Sequence, residues 1–246
     1  MRHALFFAIL LVAAGNAYGQ TCNDPYMQIS GINGDLTGPC AGGFEYSTVQ
    51  LGGGSVTVMK SIDKASAGLM QACVASQPLT KAVLNPSSGD KIEFDTVMIT
   101  SYSQTVNNGS GAETFSFKYA KARLPGGMGT GFDNQPAGSG TGFDNTTRRY
   151  TGRPHPIHIS VVVIGADRHS QAVTNYQLTA RPGAVTTSIQ LGRSSPSLRI
   201  DSGFIEVQSA SGNVLARYQF TGGVLTNGIL RPARVNPAPT AGALPR

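Results

Sequence analysis

The sequence predicts a mainly β protein with one short helix, and three observations support this. Charged residues make up only 13% of the chain, glycine occurs 31 times and tryptophan is absent, a composition typical of turn-rich β proteins. Apolar and polar residues alternate in several segments, most clearly where Phe115, Phe117 and Tyr119 flank Ser116 and Lys118. Only residues 67–76 have the apolar spacing of a helix.

The strands and the helix each follow from a local pattern. Period-two alternation predicts strands around three further pairs of apolar residues, which are Met27 and Ile29, Val56 and Val58, and Ile92 and Phe94. Glu93 and Asp95 fall on the face opposite the last pair, so we expect a solvated outer face rather than an acid/base pair.

The helix is predicted to begin with Ser66 as its cap, because a serine side chain can accept from N–H groups of the first turn. Leu69, Ala72, Cys73 and Ser76 lie on one narrow face. A helix this short is unstable alone, so it must pack against the sheet. The Gln77-Pro78 pair should end it.

Between residues 55 and 123, a strand leads into an Asp-Lys-Ala-Ser segment and a helix, and the region closes with a glutamate and a strand of alternating aromatics. This order of motifs resembles the Hcp family (haemolysin co-regulated protein), the ring-forming tube component and carrier of type VI secretion systems. Ala67 stands where the family usually has proline. The matching residues are Asp63, Lys64, Ala65, Ser66, Leu69, Ser101, Tyr102, Glu113, Phe115, Phe117 and Tyr119.

This resemblance covers roughly residues 26–123, under half of the 246-residue chain. It implies a compact β-barrel of two sheets with one helix packed on it. It also implies side-by-side assembly into rings that stack as a tube and carry effectors.

The first 19 residues predict a cleaved signal peptide. Met1-Arg2-His3 is basic, residues 4–14 are apolar, and Ala17-Tyr18-Gly19 fits the small-x-small rule for signal peptidase. The apolar run is too short to span a membrane. Cleavage before Gln20 would leave 246 − 19 = 227 residues and place the protein in the periplasm or outside the cell.

Three cysteines would then meet an oxidising compartment. Cys22 and Cys40 could close a loop of 40 − 22 − 1 = 17 residues. In the chain-entropy model such a bridge stabilises the fold by about 3 kcal/mol. Cys73 lies on the apolar side of the predicted helix, where a free thiol behaves as a small hydrophobe; a reactive thiol or an intermolecular bridge is the alternative.

The composition changes after residue 123. Residues 124–156 are rich in Gly, Pro, Asn and Thr, repeat Gly-Thr-Gly-Phe-Asp-Asn at 129–134 and 140–145, and are predicted to be a linker. Residues 20–123 would form the first domain and 157–230 a second β-rich domain. Residues 231–246 are predicted to be a disordered tail. A chain ending at Arg123 is then expected to fold alone.

The second domain could be a degenerate copy of the first. A shift of 183 − 54 = 129 positions aligns residues 54–69 with 183–198 without gaps and gives five identities. These are Gly54/Gly183, Val56/Val185, Thr57/Thr186, Ser66/Ser195 and Leu69/Leu198. A Ser-Gly turn before a strand recurs at 88–89 and 211–212, and residues 209–213 are predicted to be a hairpin turn. Strand and turn composition alone could also produce this match.

The chemistry of enzymes is absent from the sequence. There is no Gly-x-Ser-x-Gly nucleophile elbow and no phosphate-binding glycine loop. His155 and His158 fall on opposite faces of a predicted strand without a cysteine nearby, so we expect no metal site. The basic residues behind the pI of 9.4 are scattered, which argues against a nucleic-acid partner. We therefore expect no cofactor and no catalytic residue.

Two functions remain. The first is a non-catalytic, exported Hcp-like structural protein that self-associates into a ring, either a hexamer or, if each chain carries two barrels, a trimer with pseudo-sixfold shape. Secreted effectors or envelope proteins would be its partners. The second is an exported β-sandwich binding module of the cell envelope that has kept the fold and lost the ring, holding a carbohydrate or another envelope protein.

Overall fold

The computed structural model describes residues 25–52, 54–86, 91–123, 148–151, 159–165, 170–192, 199–226 and 228–238. The first half contains β1 (Tyr26–Ile29), β2 (Phe44–Glu45), β3 (Thr48–Gly52), β4 (Ser55–Lys60), α1 (Ala65–Ala75), β5 (Pro78–Asn85), β6 (Ile92–Asn107) and β7 (Ser110–Arg123). The remainder contains β8 (Arg148–Thr151), β9 (Ile159–Gly165), β10 (Ser170–Arg181), β11 (Ala184–Leu191), β12 (Arg199–Ser209), β13 (Val214–Thr226) and β14 (Ile229–Pro237).

The described residues are thus mainly β with one short α-helix, as the sequence predicted. No helix among them is both long enough and apolar enough to cross a bilayer. The predicted signal peptide, Cys22, His155 and His158 lie outside the described residues.

The strands of the first half close on themselves. β1 pairs with β2 and β5, β5 with β6, β6 with β7, β7 with β4, and β4 with β3, all antiparallel. Only Tyr46 and Ser47 separate β2 from β3, so these two act as one bent strand that starts on β1 and ends on β4. We call this closed unit, β1 to β7 with α1, barrel 1.

The second half closes in the same way. β9 pairs with β10, β10 with β11, β11 with β14, β14 with β13, β13 with β12, and β12 returns to β9. We call β9 to β14 barrel 2. If β2 and β3 are counted as one strand, the two barrels have the same connectivity, because in each the first strand pairs with the second and fourth and the third with the sixth.

The register of the second hairpin also agrees between the barrels. In barrel 1 Leu51 pairs with Val56, and in barrel 2 Ala180 pairs with Val185, which is the same pair shifted by 129. The turn glycines Gly54 and Gly183 have φ of 72° and 73°, in the left-handed region that favours glycine. The gapless sequence alignment therefore coincides with equivalent positions in the two barrels.

Helix α1 begins earlier than predicted, and its cap differs from the prediction. Asp63 Oδ1 accepts the N–H of Ala65 at 2.8 Å, and Ser66 Oγ accepts the N–H of Asp63 at 3.0 Å. This reciprocal arrangement is a capping box in which Asp63 caps the helix and Ser66 reaches back to it. The expectation that Ser66 itself caps the first turn was therefore wrong.

The helix ends where the sequence predicted. Ser76 adopts a left-handed conformation, with φ of 50°, and the N–H of Gln77 donates to the carbonyl of Ala72 at 3.3 Å. This 6→1 bond is the hydrogen bond of a Schellman motif. The next strand, β5, starts at Pro78.

The two barrels share strands and a core. Residues 102–107 of β6 pair with residues 175–180 of β10, so one strand belongs to both barrels. Helix α1 packs against β6 and also against β10, β13 and β14. The free thiol of Cys73 is buried 3.5 Å from the carbonyl oxygen of Ala180, and the N–H of Gly183 donates to the carbonyl of Val74 at 2.9 Å. One hydrophobic cluster runs through both halves.

Two strands lie where the sequence predicted irregular chain. β8 falls inside the predicted linker and pairs with β3, and residues 231–237 of the predicted tail continue β14. Val235 is buried opposite Phe220, which explains why this proline-rich segment is held in place. Proline is tolerated there because, beyond Leu230, β14 pairs on one edge only among the described residues.

The outer face of β6 agrees with the prediction. Ile92 and Phe94 are buried, whereas Glu93 and Asp95 point outward and form ion pairs. Hydrogen bonds from Lys81 and Lys91 lower the pKa of Glu93. This is a surface network, and such pairs contribute little to stability.

The shared core changes the expectation for a shortened chain. A chain ending at Arg123 would lose β10 from residues 102–107 of β6 and would expose the buried side of α1, including Cys73. We therefore expect it to aggregate or to lose cooperative unfolding, because the missing strands complete its core. Thermal unfolding followed by circular dichroism would test this. A sharp, reversible transition in the shortened chain would contradict a shared core.

Candidate functional site

The candidate site is a buried polar cluster between helix α1 and the sheet. Lys60, the last residue of β4, is 1% exposed. Its ammonium group lies 2.6 Å from Asp63 Oδ1, 2.8 Å from Glu113 Oε1 and 2.8 Å from the carbonyl oxygen of Ser61. The contacts with Asp63 and Ser61 are hydrogen bonds, and the contact with Glu113 Oε1 is an ion pair. The Phe44 ring lies 5.1 Å from the same nitrogen.

Local structure explains why these groups meet. Alternation along β4 points Val56, Val58 and Lys60 to the inside of barrel 1. Glu113 lies directly opposite Lys60 on β7 and faces the same side. Asp63 begins α1, so the ammonium group of Lys60 ties the first turn of the helix to two strands.

The cluster extends into barrel 2 through tyrosines. Tyr102 on β6 donates its hydroxyl to Glu113 Oε2 at 2.8 Å, and its oxygen lies 3.5 Å from the hydroxyl of Tyr218 on β13. Tyr176 on β10 is also buried nearby. The polar groups therefore link the two barrels as well as the helix and the sheet.

Burial and charge set the ionisation of the cluster. Burial alone would lower the pKa of Lys60, but the charges of Asp63 and Glu113 outweigh it and raise the pKa, so the lysine stays charged. Burial raises the pKa of Asp63 to about 6, opposed by Lys60 and assisted by Glu113. Two carboxylates thus share one ammonium group.

The three buried tyrosines are neutral. Burial raises the pKa of Tyr102, Tyr176 and Tyr218, and the Glu113 carboxylate raises them further. Their hydroxyls therefore keep their protons at neutral pH.

This arrangement suits a structural tether better than a reactive centre. The ammonium group is charged and buried, so it has no lone pair to act as a nucleophile. Within the described ranges, no group of three His, Cys, Asp or Glu side chains could hold a metal ion. A buried polar network of this kind fixes which elements pack together.

Of the eleven residues that match the family motif, Phe115, Phe117 and Tyr119 lie along β7, and the structure brings together five of the other eight. Asp63, Ala65, Ser66, Tyr102 and Glu113 belong to the cluster or to the helix cap that supports it. The other three lie elsewhere. Leu69 is buried in the core, Lys64 is exposed and pairs with Asp35 at 3.3 Å, and Ser101 follows the bulge in β6.

Sequence reasoning missed Lys60, Tyr218 and Tyr176. The signal for Lys60 was present, because a lysine in phase with Val56 and Val58 is predicted to face the core. A buried lysine requires carboxylate partners, which Asp63 and Glu113 supply. No comparable signal identified the tyrosines, because their contact depends on how barrel 2 packs on barrel 1.

Barrel 2 has an apolar pair at the equivalent place. The shift of 129 carries Lys60 to Ile189, which pairs with Leu230 as Lys60 pairs with Glu113. Ile189 and Leu230 are both 0% exposed. The polar cluster is thus a property of barrel 1, and barrel 2 shows which side chains fill the same space without charge.

The predicted disulfide remains a prediction. Cys40 is buried at 1% exposure, but Cys22 lies outside the described residues. Cys73 is the free thiol of the described chain, and burial raises its pKa to about 11, so it is a poor nucleophile.

Comparison with known protein families agrees with the sequence motif. Residues 41–124 match the family model described as "Type VI secretion system effector, Hcp", about a third of the chain. This N-terminal region is therefore of the Hcp family, as the sequence motif predicted.

Solved structures and curated sequences add no argument about function. The crystal structure of Hcp2 from Salmonella typhimurium is 18% identical over 41% of this chain and 84% of that chain, with a TM-score of 0.36. No curated protein sequence matches.

The apolar pair of barrel 2 suggests a direct test of the cluster. Lys60→Ile alone leaves two buried carboxylates without their cation and should destabilise the fold by about 3–5 kcal/mol. Adding Glu113→Leu should cost less than the sum of the two single changes, because the second change removes one uncompensated charge. Chemical denaturation of all three variants measures this.

The matched control is Lys81→Ile, which breaks the exposed pair with Glu93 and should cost less than about 1 kcal/mol. Strict additivity of Lys60→Ile and Glu113→Leu would show that the two side chains do not interact across the barrel.

The raised pKa of Asp63 gives a prediction about pH. A carboxyl whose folded pKa of about 6 exceeds its ordinary value of 3.8 binds its proton more tightly in the folded state. Its contribution to stability is fully present below pH 3.8 and is lost as the pH rises through 6. Asp63→Asn should remove this part of the pH dependence, as measured by denaturation at several pH values.

Asp95→Asn, on the outer face, is the control and should leave the shape of the profile unchanged. A wild-type and Asp63→Asn pair with parallel profiles between about pH 4 and pH 7 would show that Asp63 is ionised throughout.

Proposed function

We propose that the protein is an exported, non-catalytic structural protein related to type VI secretion tube components, and that its two barrels are tandem copies of one Hcp-like unit. The observation that carries this is the shared connectivity and register of the barrels, together with the family match of the first. Sequence identity between the copies is low because strands tolerate substitution wherever the alternation of apolar residues is kept.

The junction between the barrels supports a role in assembly. β6 of barrel 1 pairs with β10 of barrel 2, so two different edges meet. Contacts of this head-to-tail kind can continue from one unit to the next and close into rings. A chain with two barrels would occupy two neighbouring positions in a ring, and three chains would supply the six barrels of the ring.

The predicted export is a separate part of this proposal. The basic, apolar and small-x-small segments at the start of the sequence predict cleavage before Gln20 and release to the periplasm or beyond. A bridge between Cys22 and Cys40 would form in that compartment. Effectors or other envelope proteins are the partners that such a protein would meet.

The second function is an exported binding module that kept the fold without the ring. One observation favours it, because β8 covers the second edge of β3 in barrel 1. A covered edge offers no backbone groups to a neighbour. A carbohydrate or another envelope protein would then be the ligand.

Native mass spectrometry with electron microscopy of the mature chain separates the two functions. The structural role predicts a concentration-dependent assembly of three chains with six similar lobes. A particle of six chains would show that barrel 2 is an appendage to an ordinary ring, and a monomer at every concentration would favour the binding module.

A further inference from the structure

Strand β3 and its counterpart in barrel 2 have the equivalent neighbour on one edge. Residues 48–51 of β3 shift by 129 to residues 177–180 of β10. Each segment pairs on one edge with the following strand of its own barrel, β4 or β11, in the same register. The two segments can therefore be compared edge by edge.

The second edges are occupied by different strands. Residues 177–180 of β10 pair with residues 102–105 of β6, which come from the other barrel. Residues 48–51 of β3 pair with residues 148–151 of β8, in the same antiparallel sense. β8 therefore lies on barrel 1 where a strand of a neighbouring barrel lies on barrel 2.

We propose that β8 is a cap, supplied by the chain itself, over a docking edge for a second copy of this protein. The proposal rests on the proposed function, because it identifies which surface of barrel 1 would continue a head-to-tail assembly. While β8 is paired, the edge of β3 is closed, and assembly requires β8 to leave.

The length of β8 suits a cap that can be displaced. It contributes four residue pairs to β3, whereas β6 and β10 form six. Arg149 on β8 is exposed, and positive side chains on an outermost strand are a common protection against unwanted pairing. Among the described strands, the outer edge of β8 is unpaired, so the cap also ends the sheet.

The second copy would bring the end of its β13 to this edge. β13 is the counterpart of β6, and among the described residues β12 pairs with it as far as Val224, two residues before the strand ends at Thr226. Val224 is 63% exposed, a large apolar side chain near this end of the strand. Burying such a side chain against another chain would favour association.

Two proline substitutions test the cap. Arg149→Pro with Tyr150→Pro removes two N–H donors and the extended pairing of β8, and it changes no residue of either barrel. We expect the association constant of this variant, measured by analytical ultracentrifugation, to rise by at least about tenfold over wild type. The control is Arg149→Ala with Tyr150→Ala, which keeps the backbone donors and should behave as wild type.

Hydrogen exchange locates the change. In the proline variant, the amides of residues 48–51 should exchange faster than in wild type at low concentration and slow again as the assembly forms. A peptide with the sequence of residues 147–152, added in excess, should return the variant to monomers by refilling the edge. Loss of the cooperative thermal transition would be detected separately and would distinguish unfolding from opening of the edge.

A change on the partner strand tests the other half of the contact. In the proline background, Val224→Lys should reduce association by at least about tenfold, whereas Ala210→Lys, in the exposed turn at the far end of β13, should not. Equal association of both lysine variants would exclude the end of β13 as the donor.

The outcomes separate this inference from the proposed function. If wild type and the proline variant assemble equally well, β8 is not a cap, but the structural role stands. If neither assembles while residues 48–51 of the variant exchange freely, both the docking edge and self-association are excluded. Slow exchange of the amides of residues 48–51 in a monomeric proline variant would also contradict the proposal that β8 is a cap, because the edge would still be protected without β8.

Discussion

Strand β6 is the element on which the rest of the structure depends. Its first part, residues 92–98, pairs with β5 inside barrel 1, and residues 102–107 pair with β10 of barrel 2. The bulge between Ile99 and Ser101 separates the two parts. A β-bulge bends a strand and increases its twist, which lets one strand serve two sheets that face different directions. Without this strand, each barrel would have an open edge and an uncovered apolar face.

The polar cluster lies close to this shared strand and connects the two barrels. Tyr102 lies in the part of β6 that belongs to both barrels, and it joins Glu113 to Tyr218. A buried ion pair is weak evidence for stability, because the desolvation of its charges offsets their attraction. Such groups can instead specify geometry, since a wrong arrangement would leave a buried charge unpaired. Barrel 2 fills the same position with Ile189 and Leu230, so the barrel itself does not require the charges.

The sequence predicted the local elements well and the assembly of the halves poorly. The alternation of Phe115, Phe117 and Tyr119 and the spacing of α1 are local signals, and each element was found with small differences in its ends. The 129-residue shift also aligns two hairpins that have the same register in the two barrels. The predicted linker and tail concealed β8 and β14, because glycine and proline are poor strand formers unless tertiary pairing holds them.

Only part of the candidate site could be predicted from the sequence, because local patterns do not show which residues the packing of the two barrels brings together. The family motif identified Asp63, Tyr102 and Glu113. Lys60 is predicted only from its position along β4, where the alternation places it on the inward face with Val56 and Val58. Tyr176 and Tyr218 come from the other barrel, and their contact depends on pairing across more than 70 residues of chain, which no local pattern encodes.

The central claim is that the two halves are equivalent barrels joined through β6. Cross-strand nuclear Overhauser contacts in the labelled full chain test it most directly. The account predicts backbone contacts for Leu51 with Val56, for Ala180 with Val185, and for Gln104 with Leu178 across the junction. A register in the second hairpin that differs by one residue from the first would reverse its inward face and contradict the equivalence. The absence of contacts between Gln104 and Leu178 would contradict the shared strand.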